Sequence, residues 1–305
     1  MTVLGVEIGG TKLQVVAGDA SGRILDRQRL AVDRAAGGHG IREQLARTLP
    51  DFVSRHTPAA VGAGFGGPVD HRSGRICCSH QIAGWSDFDL GDWMQSLTGI
   101  PARVDNDANV AALGEAVHGA GRGANPVFWI NMGSGVGGGL VVDGRIYHGA
   151  IPGEAEIGHL CLDKSGVRVE QRCSGWAVDR RIREAIRQQP GSPLASLAGE
   201  REGGEARALA PALSQGDPLA QAILSELADN LAFALSHAVQ LFHPEVIVVG
   251  GGLSLIGEPL RDAVASALPP YVMDSFQPGP RIALAGLGED SVPVGALALA
   301  SSAPR

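Results

Sequence analysis

The stretch Val3–Asp19, VLGVEIGGTKLQVVAGD, decides how the rest of the chain is interpreted. Two apolar runs flank the turn residues Gly9, Gly10, Thr11 and Lys12, and this pattern predicts a β-hairpin. The glycines carry no Cβ, so a phosphate can lie against the backbone amides, while the threonine and lysine add a hydroxyl and a cation. An ordinary tight hairpin would show the same local pattern, so the choice depends on the rest of the chain.

The stretch Val127–Tyr147, VFWINMGSGVGGGLVVDGRIY, repeats the order of features in the opening stretch. An apolar strand leads into a turn of small residues, followed by a second strand, an Asp-Gly turn and a third strand. The turn Gly133-Ser134-Gly135 takes the place of the first glycine turn. A repeated meander followed by helices predicts two duplicated α/β domains, each presenting one phosphate loop to a shared cleft.

The same glycines also fit a competing pattern. Gly133, Gly135 and Gly138 satisfy G-x-G-x-x-G, the opening of a dinucleotide-binding unit. That unit requires a helix directly after the glycines and an acidic residue about twenty residues later. Here the strand continues through Leu140–Val142 and an Asp-Gly turn follows, so a phosphotransferase is favoured over a nicotinamide or flavin enzyme.

A third glycine motif follows the apolar run Pro244–Val249, which reads PEVIVV and predicts a strand. Gly250, Gly251 and Gly252 come next, and a helix is predicted to begin near Ile256. Glycines at this place would let a ribose or a flat base approach the backbone. Close packing of a strand on a helix would produce the same pattern.

Composition and charge limit the class of protein. The 305 residues are 44% hydrophobic and 19% charged, which is typical of a folded globular protein of two domains. A net charge of -7 offers no broad basic field, so we expect small-molecule ligands and neither a nucleic-acid nor a membrane partner.

Two further features suggest the compartment. The first residues lack the pattern of a secretion signal, and no apolar run is long enough to span a bilayer, so a cytoplasmic protein is expected. The cysteines Cys77, Cys78, Cys161 and Cys173 form no disulfide-rich framework, and we expect reduced thiols.

Six short motifs occur together in the order known from the ROK family, named for repressors, open reading frames and kinases. They are EIGGTK, GFGGPVD, VDNDANVAALGE, NMGSGVGGGLVVDG, EIGH and HPEVIVVGGGLS. The chain resembles this family over nearly its whole length. The resemblance implies the actin-like ATPase (sugar kinase/Hsp70) fold, an α/β fold with two duplicated domains around a cleft. We expect an N-terminal domain at 1–115, with the C-terminal helix 291–305 packing on it, and a C-terminal domain at 116–290.

The resemblance also implies ATP-dependent phosphorylation of a hexose, with Asp107 as the catalytic carboxylate that takes the proton from the attacking hydroxyl. Without the resemblance, this residue would be interpreted as a helix cap, His159 as a structural histidine and Glu170 as a solvated surface charge. The positions that match sugar-binding residues combine donors and acceptors, as sugar hydroxyls require. They are Gly67, Pro68, Asn106, Asp107, Glu156, His159 and Glu170.

The resemblance further assigns the two hairpin turns to the phosphates of ATP and the triple glycine to its adenosine. The residues of these three motifs are Gly9, Gly10, Thr11, Lys12, Gly133, Ser134, Gly135, Gly250, Gly251 and Gly252.

Two departures from the family pattern concern metals. Many members hold a structural zinc through the histidine of EIGH and a C-x-C-x4-C cluster, but the segment 163–170, DKSGVRVE, contains no cysteine. Cys161 and Cys173 with His159 supply three ligands at the wrong spacing, so no structural zinc is expected. The second departure is Glu7, which stands where the family commonly has an Asp that holds the Mg²⁺ of Mg-ATP through water. Its longer arm puts the metal geometry in question.

The expected activity is transfer of the γ-phosphoryl of ATP to a hydroxyl, preferably the 6-hydroxyl, of glucose or a related hexose. An N-acetyl or amino hexose or a cyclitol would use similar residues, and a non-catalytic sugar or nucleotide sensor is a further alternative. A sugar-responsive repressor would carry a helix-turn-helix domain ahead of the hairpin, and here the hairpin begins at Val3. The resemblance is compatible with a homodimer. Trp85 and Trp176 are expected to be packing residues.

Overall fold

The computed structural model describes residues 1–79, 82–153, 155–199 and 202–302, which form a mixed α/β protein. The strands are β1 (Thr2–Ile8), β2 (Leu13–Asp19), β3 (Ile24–Leu30), β4 (Val61–Phe65), β5 (Val69–Asp70), β6 (Arg75–Ile76), β7 (Phe88–Asp89), β8 (Ala102–Asn106), β9 (Val127–Met132), β10 (Val136–Val142), β11 (Arg145–Ile146), β12 (Val246–Gly250) and β13 (Arg281–Leu284). The α-helices are α1 (Gly37–His56), α2 (Leu90–Thr98), α3 (Asp107–His118), α4 (Val169–Cys173), α5 (Gly175–Gln188), α6 (Pro193–Ala198), α7 (Leu209–Ser214), α8 (Pro218–Phe242), α9 (Glu258–Ala267) and α10 (Ser291–Ser301).

The first sheet has the strand order β3-β2-β1-β4-β8. Strands β1 and β2 form the predicted hairpin, in which Glu7 lies directly opposite Gln14. Strands β4 and β8 continue the sheet in parallel with β1. The carboxyl ends of β1, β4 and β8 therefore share one edge of the sheet.

The second large sheet repeats this plan with the order β11-β10-β9-β12-β13. Strand β9 pairs in parallel with β12, and β12 pairs in parallel with β13, as β1, β4 and β8 do in the first sheet. The predicted duplication of a glycine-turned meander is confirmed. In each sheet three neighbouring strands run parallel, so the carboxyl ends of these buried strands lie side by side.

The contacts between Cα atoms divide the chain into two compact units. Unit 1 contains Met1–Gly123, Gly139–Ala155 and Gly286–Arg305, and unit 2 contains Ala124–Gly138 and Glu156–Ala285. The predicted domain limits of 1–115 and 116–290 stay a prediction. Of the predicted helix 291–305, the structure describes α10, and residues 303–305 lie outside the described residues.

The core of unit 1 lies on both faces of its large sheet. One face packs against α1 and α2, with Phe52 of α1, Leu90 of α2 and Trp85 of the segment before β7 fully buried. The other face packs closely against α10, because a Cβ on Gly5 of β1 would lie only 2.9 Å from the carbonyl oxygen of Pro293. Glycine at this strand position lets the backbone of α10 approach the sheet directly.

The buried Glu115 fixes the start of α10 to α3 within unit 1. Its carboxylate accepts hydrogen bonds from the backbone amides of Ala120, Gly286 and Leu287, at 2.9 to 3.0 Å, and from the Ser291 hydroxyl at 2.8 Å. The side chain is 0% exposed, so these donors replace the water that a buried carboxylate loses.

Two helices begin earlier than the sequence predicts. The run 41–56 predicts a helix that Pro50 kinks or splits, but α1 begins at Gly37 and continues without a break to His56, so the helix is not split. One missing backbone hydrogen bond at Pro50 is tolerated because Ile41, Leu45 and Phe52 bury the same face of the helix. The other helix was expected to begin at residue 110, whereas α3 begins at Asp107.

Within the described part of the chain, no helix combines the length and apolar character needed to cross a lipid bilayer.

Candidate active site

The shared edge of β1, β4 and β8 gathers the predicted site residues of unit 1. The glycine turn follows β1, the Gly66-Gly67-Pro68 loop follows β4, and Asp107 follows β8. Neighbouring parallel strands bring such loops together at their carboxyl ends, which is where α/β proteins usually bind ligands.

Asn106 links two of these loops. Its side-chain oxygen caps α3 by accepting hydrogen bonds from the backbone amides of Ala108 at 2.8 Å and Asn109 at 3.3 Å. Its amide nitrogen donates to the carbonyl oxygen of Gly67 at 3.2 Å. The helix cap therefore comes from Asn106 and not from Asp107.

Asp107 is the first residue of α3 and is partly buried. Its carboxylate lies close to the backbone of Gly66, since a Cβ on that glycine would come within 3.3 Å of Oδ2. The amino end of a helix favours negative charge, which suits an ionised carboxylate here.

Behind these residues lies a buried network that sequence reasoning missed. Asp105 is 3% exposed. Its carboxylate accepts hydrogen bonds from the backbone amide of Asn106 at 2.8 Å, from Asn109 Nδ2 at 3.0 Å and from His148 Nε2 at 2.7 Å. The His148 ring stacks on the ring of His71, with centroids 3.6 Å apart. The signal in the sequence was a second aspartate at the same strand end, in the run VDNDAN.

The first glycine turn is tight. The Gly9 amide donates to the carbonyl oxygen of Lys12 at 2.8 Å, and Arg34 Nε donates to the carbonyl oxygen of Gly10 at 3.3 Å. Lys12 is half-exposed, and its ammonium lies 3.9 Å from the Glu289 carboxylate.

Glu7 precedes this turn and is 7% exposed. Burial raises the pKa of its carboxyl, and the hydrogen bond from Gln14 and the charge of Lys12 partly oppose the rise. Gln14 Nε2 lies 2.5 Å from Glu7 Oε2, while Gln14 Oε1 is buried and has no hydrogen-bond partner. A carboxylate and an unsatisfied amide oxygen are the oxygen donors that Mg²⁺ prefers, so this pair fits a hydrated magnesium ion.

The second glycine turn lies in unit 2 and is held from two sides. The Gly175 amide at the start of α5 donates to the carbonyl oxygen of Gly133 at 2.7 Å. Glu170 Oε2 accepts a hydrogen bond from the Val136 amide at 3.0 Å. The structure therefore places Glu170, a predicted sugar-binding residue, against the second glycine turn.

Glu156 and His159 lie together in unit 2, and both side chains are more than half exposed. His159 Nε2 is 3.9 Å from Glu156 Oε2, and His159 Nδ1 is 3.1 Å from the guanidinium of Arg168. A guanidinium only donates, so Nδ1 accepts and the ring proton sits on Nε2, toward the carboxylate. Sequence reasoning missed Arg168, which no motif marks.

The three glycines after β12 differ in their surroundings. A Cβ on Gly250 would overlap the Trp129 ring, and Gly251 has a φ of +82° with backbone atoms of Met132 close by. A Cβ on Gly252 would meet no atom within 4 Å. The first two glycines therefore serve local packing, and Gly252 borders a cavity.

This cavity of unit 2 has a volume of about 410 Å³. It is bordered by both predicted nucleotide motifs of unit 2, the start of α5 and the turns at 204–210 and 252–256. Its lining residues are Met132, Gly133, Ser134, Gly175, Trp176, Asp179, Gly204, Ala206, Arg207, Ala210, Gly252, Leu253, Leu255 and Ile256. The size is within the usual range for a small-molecule site.

The two tryptophans that were expected to pack behave differently. Trp85 is 1% exposed in the core of unit 1, which confirms the expectation. Trp176 is 66% exposed on the cavity of unit 2, so the expectation was wrong for this residue.

The cysteines near His159 have unlike surroundings. Cys161 is exposed, whereas Cys173 is buried, and burial raises the pKa of its thiol to about 12. Within the described ranges, no three His, Cys, Asp or Glu side chains come together as a metal site. The absence of a structural zinc remains an expectation.

Comparison with known proteins agrees with these features. The ROK family model matches residues 3–303. A glucokinase of Halalkalibacterium halodurans is 31% identical over 96% of this chain and 92% of its own length. A glucokinase of Thermotoga maritima is 30% identical over 98% of this chain and 97% of its own.

A solved structure adds the fold. The crystal structure of a ROK family glucokinase from Streptomyces griseus, in complex with glucose and AMPPNP, superposes with a TM-score of 0.85 at 31% identity. The match covers 98% of this chain and 99% of the Streptomyces griseus chain. The duplicated sheets, the glycine turns and the VDNDAN strand end thus occur in a chain that belongs to the ROK family, with its actin-like ATPase fold.

Proposed function

We propose that this protein is an ATP-dependent sugar kinase that transfers the γ-phosphoryl of ATP to a hydroxyl of glucose or a related hexose, with the 6-hydroxyl preferred. The observation that carries this proposal is the full-length similarity to glucokinases, one of them solved with glucose and AMPPNP. The Asn106–Asp107 strand end supports it from this chain's own geometry.

Asp107 is the proposed catalytic base. It would accept the proton of the attacking sugar hydroxyl as the hydroxyl oxygen bonds to the γ-phosphorus and ADP leaves. Its place at the start of α3, close to Gly66, supports the role because a base must be ionised and within reach of a substrate.

The proposed sugar contacts combine rigid loops with charged side chains. In unit 1, Asn106 is held by its cap and by its hydrogen bond to Gly67. In unit 2, the Glu156–His159 pair offers an acceptor and a donor. The full proposed set is Gly67, Pro68, Asn106, Asp107, Glu156, His159 and Glu170.

The proposed nucleotide contacts are the two glycine turns for the phosphates and the triple glycine for the adenosine. The backbone amides of tight glycine turns suit phosphate oxygens. The proposed residues are Gly9, Gly10, Thr11, Lys12, Gly133, Ser134, Gly135, Gly250, Gly251 and Gly252, with Gly252 favoured among the last three because it borders the cavity.

We further propose that Glu7, assisted by Gln14, holds Mg²⁺ through water. When bound, Mg²⁺ offsets the charge of the transferring phosphoryl group. The fit rests on the buried carboxylate and on the unsatisfied amide oxygen of Gln14. A cytoplasmic location, a homodimer and the absence of nucleic-acid and membrane partners complete the proposal.

The test is ADP release by the purified protein with Mg-ATP and a panel of acceptors: glucose, mannose, their N-acetyl and amino forms, and cyclitols. Sugar-dependent turnover with glucose as the best acceptor is expected. Turnover with only an N-acetyl or amino hexose would change the proposed substrate class, and the proposal of a sugar kinase would stand. Tight binding of sugar and ATP without turnover would favour a sensor instead.

A further inference from the structure

We propose that Trp176, together with Leu255, forms the platform for the purine base of the phosphoryl donor and thereby sets donor selectivity. The inference rests on the proposed function, which supplies the nucleotide. It assigns the recognition of the base to two side chains that lie outside every glycine motif of the sequence.

The first argument is exposure. Trp176 is 66% exposed, whereas Trp85 and Trp129 are 1% and 2% exposed. Leu255 is 81% exposed and borders the same cavity. Single exposed apolar residues are common on protein surfaces, but these two large ones border the same cavity, and we attribute their exposure there to ligand binding.

The second argument is position. Trp176 is the second residue of α5, whose first turn is fixed by the Ser174 cap and by the Gly175 amide, which donates to Gly133 at 2.7 Å. The same cavity is bordered by Ser134 of the phosphate turn. A nucleotide with its phosphates at this turn would therefore direct its base along the cavity toward the indole ring.

The third argument is chemistry. The charged residues among the described lining of this cavity are Asp179 and Arg207. Asp179 already accepts the backbone amides of Gly204 at 2.9 Å and Ala206 at 2.8 Å, so it holds the cavity wall. Arg207 supplies only hydrogen-bond donors, so the main contact that we expect is stacking, which every base allows, with a purine presenting two rings instead of one. We expect a clear preference for purine over pyrimidine nucleotides and a weak distinction between adenine and guanine.

The experiment compares Trp176→Ala, Trp176→Phe and Leu255→Ala in the full chain, with Leu241→Ala as the matched control. Leu241 is 75% exposed and does not border the cavity. Calorimetry gives the Kd for ADP, and steady-state kinetics give the KM for ATP, GTP and UTP and for the sugar.

Trp176→Ala is expected to raise the ADP Kd and the ATP KM by about tenfold, in line with the loss of one stacked base, and to leave the sugar KM unchanged. Trp176→Phe should recover most of the affinity, Leu255→Ala should show a smaller loss, and Leu241→Ala should bind ADP like the unaltered protein. ADP should also quench tryptophan fluorescence in the unaltered protein and not in Trp176→Phe.

Unchanged ADP affinity in Trp176→Ala would overturn the inference even if the protein is an active sugar kinase. If no sugar is phosphorylated but ADP affinity falls in Trp176→Ala, the base platform stands and the kinase proposal fails. An unaltered protein that binds no ADP would overturn both.

Discussion

Asp105, Asn106 and Asp107 are adjacent in sequence and have three different environments. Asp105 is buried and bonded to His148, Asn106 caps α3, and Asp107 lies near Gly66. The alternation of side chains along β8 and the start of a helix at its end separate them. Asp105 and Asp107 carry the same formal charge, but Asp105 has a structural role and Asp107 has the proposed catalytic role.

Asp107→Asn should lower kcat by about 10²- to 10⁴-fold, because the amide cannot accept the hydroxyl proton. The KM values for sugar and ATP should change little, since the amide fills the same space. Asp143→Asn in the exposed β10–β11 turn is the control and should retain full activity. Kinetics of both variants with the best acceptor check this, and an active Asp107→Asn would remove Asp107 from the proposed role.

Asp105→Asn should leave the site residues in place but weaken the network behind them. The charged hydrogen bond from His148 becomes a neutral one in a buried position. We expect a loss of about 1–3 kcal/mol in the free energy of unfolding, measured by urea denaturation. Stability equal to that of the unaltered protein would show that the pair contributes nothing measurable.

The buried thiol of Cys173 should make the stability of the protein depend on pH. Its thiol pKa is raised from 9.0 to about 12 in the folded protein by burial. The unfolded chain therefore loses this proton first, and stability that is present below pH 9 is lost as the pH rises toward 12. The loss reaches about 1.4 kcal/mol per pH unit within that window.

Urea denaturation at pH 8 and pH 10 measures this effect, with Cys173→Ala as the comparison. The stability advantage of the unaltered protein over the variant should shrink between the two pH values. A constant difference would contradict the shifted pKa. The exposed Cys161 should meanwhile react readily with iodoacetamide in the folded protein.

At the scale of elements, the joint between α3 and α10 depends on one carboxylate. Glu115→Ala would remove the carboxylate that accepts from three backbone amides and from the Ser291 hydroxyl, although this hydroxyl keeps the carbonyl oxygen of Gly288 as an acceptor at 2.9 Å. We expect a loss of roughly 3–5 kcal/mol in the free energy of unfolding, and a smaller loss for Glu115→Gln, which keeps one acceptor oxygen.

Glu43→Ala on the exposed face of α1 is the matched control and should change stability by less than about 0.5 kcal/mol. Urea denaturation of the three variants measures whether the loss of stability is largest for Glu115→Ala, smaller for Glu115→Gln and smallest for Glu43→Ala. A loss from Glu115→Ala no larger than that of the control would show that water replaces the carboxylate.

Most elements could be predicted because their apolar residues follow a clear period. Apolar runs on either side of small turn residues predict the opening hairpin and its repeat, and a long, largely apolar run predicts the helix α8 at Pro218–Phe242. The start of α3 was misplaced because Asn106, Asp107 and Asn109 all have side chains that can cap a helix. Only the backbone geometry of the finished strand end decides that Asn106 is the cap.

The site was predictable to the extent that it consists of local motifs. The glycine turns and the VDNDAN strand end are local, whereas the His148–Asp105 bond joins residues 43 positions apart. Trp176 lay in no motif, and its exposure depends on how α5 begins beside Gly133. Long-range contacts of this kind leave no period or spacing in the sequence.

At the scale of the whole molecule, each unit carries part of the proposed machinery. We expect ADP to reduce amide hydrogen exchange mainly in unit 2, at 132–136, 175–180, 204–210 and 252–256, because these segments border the cavity. Hydrogen exchange with mass spectrometry checks this pattern. Protection by ADP confined to unit 1 would contradict the assignment of the cavity.

The fastening of α10 to α3 through Glu115 also bears on how the chain acquires its structure during synthesis. Residues 286–301 leave the ribosome after all of unit 2, yet they cover the face of the first sheet where Gly5 approaches Pro293. The sheet of Met1–Gly123 therefore keeps one face uncovered until unit 2 has been synthesised. All residues of unit 2 are present in the growing chain before unit 1 is complete.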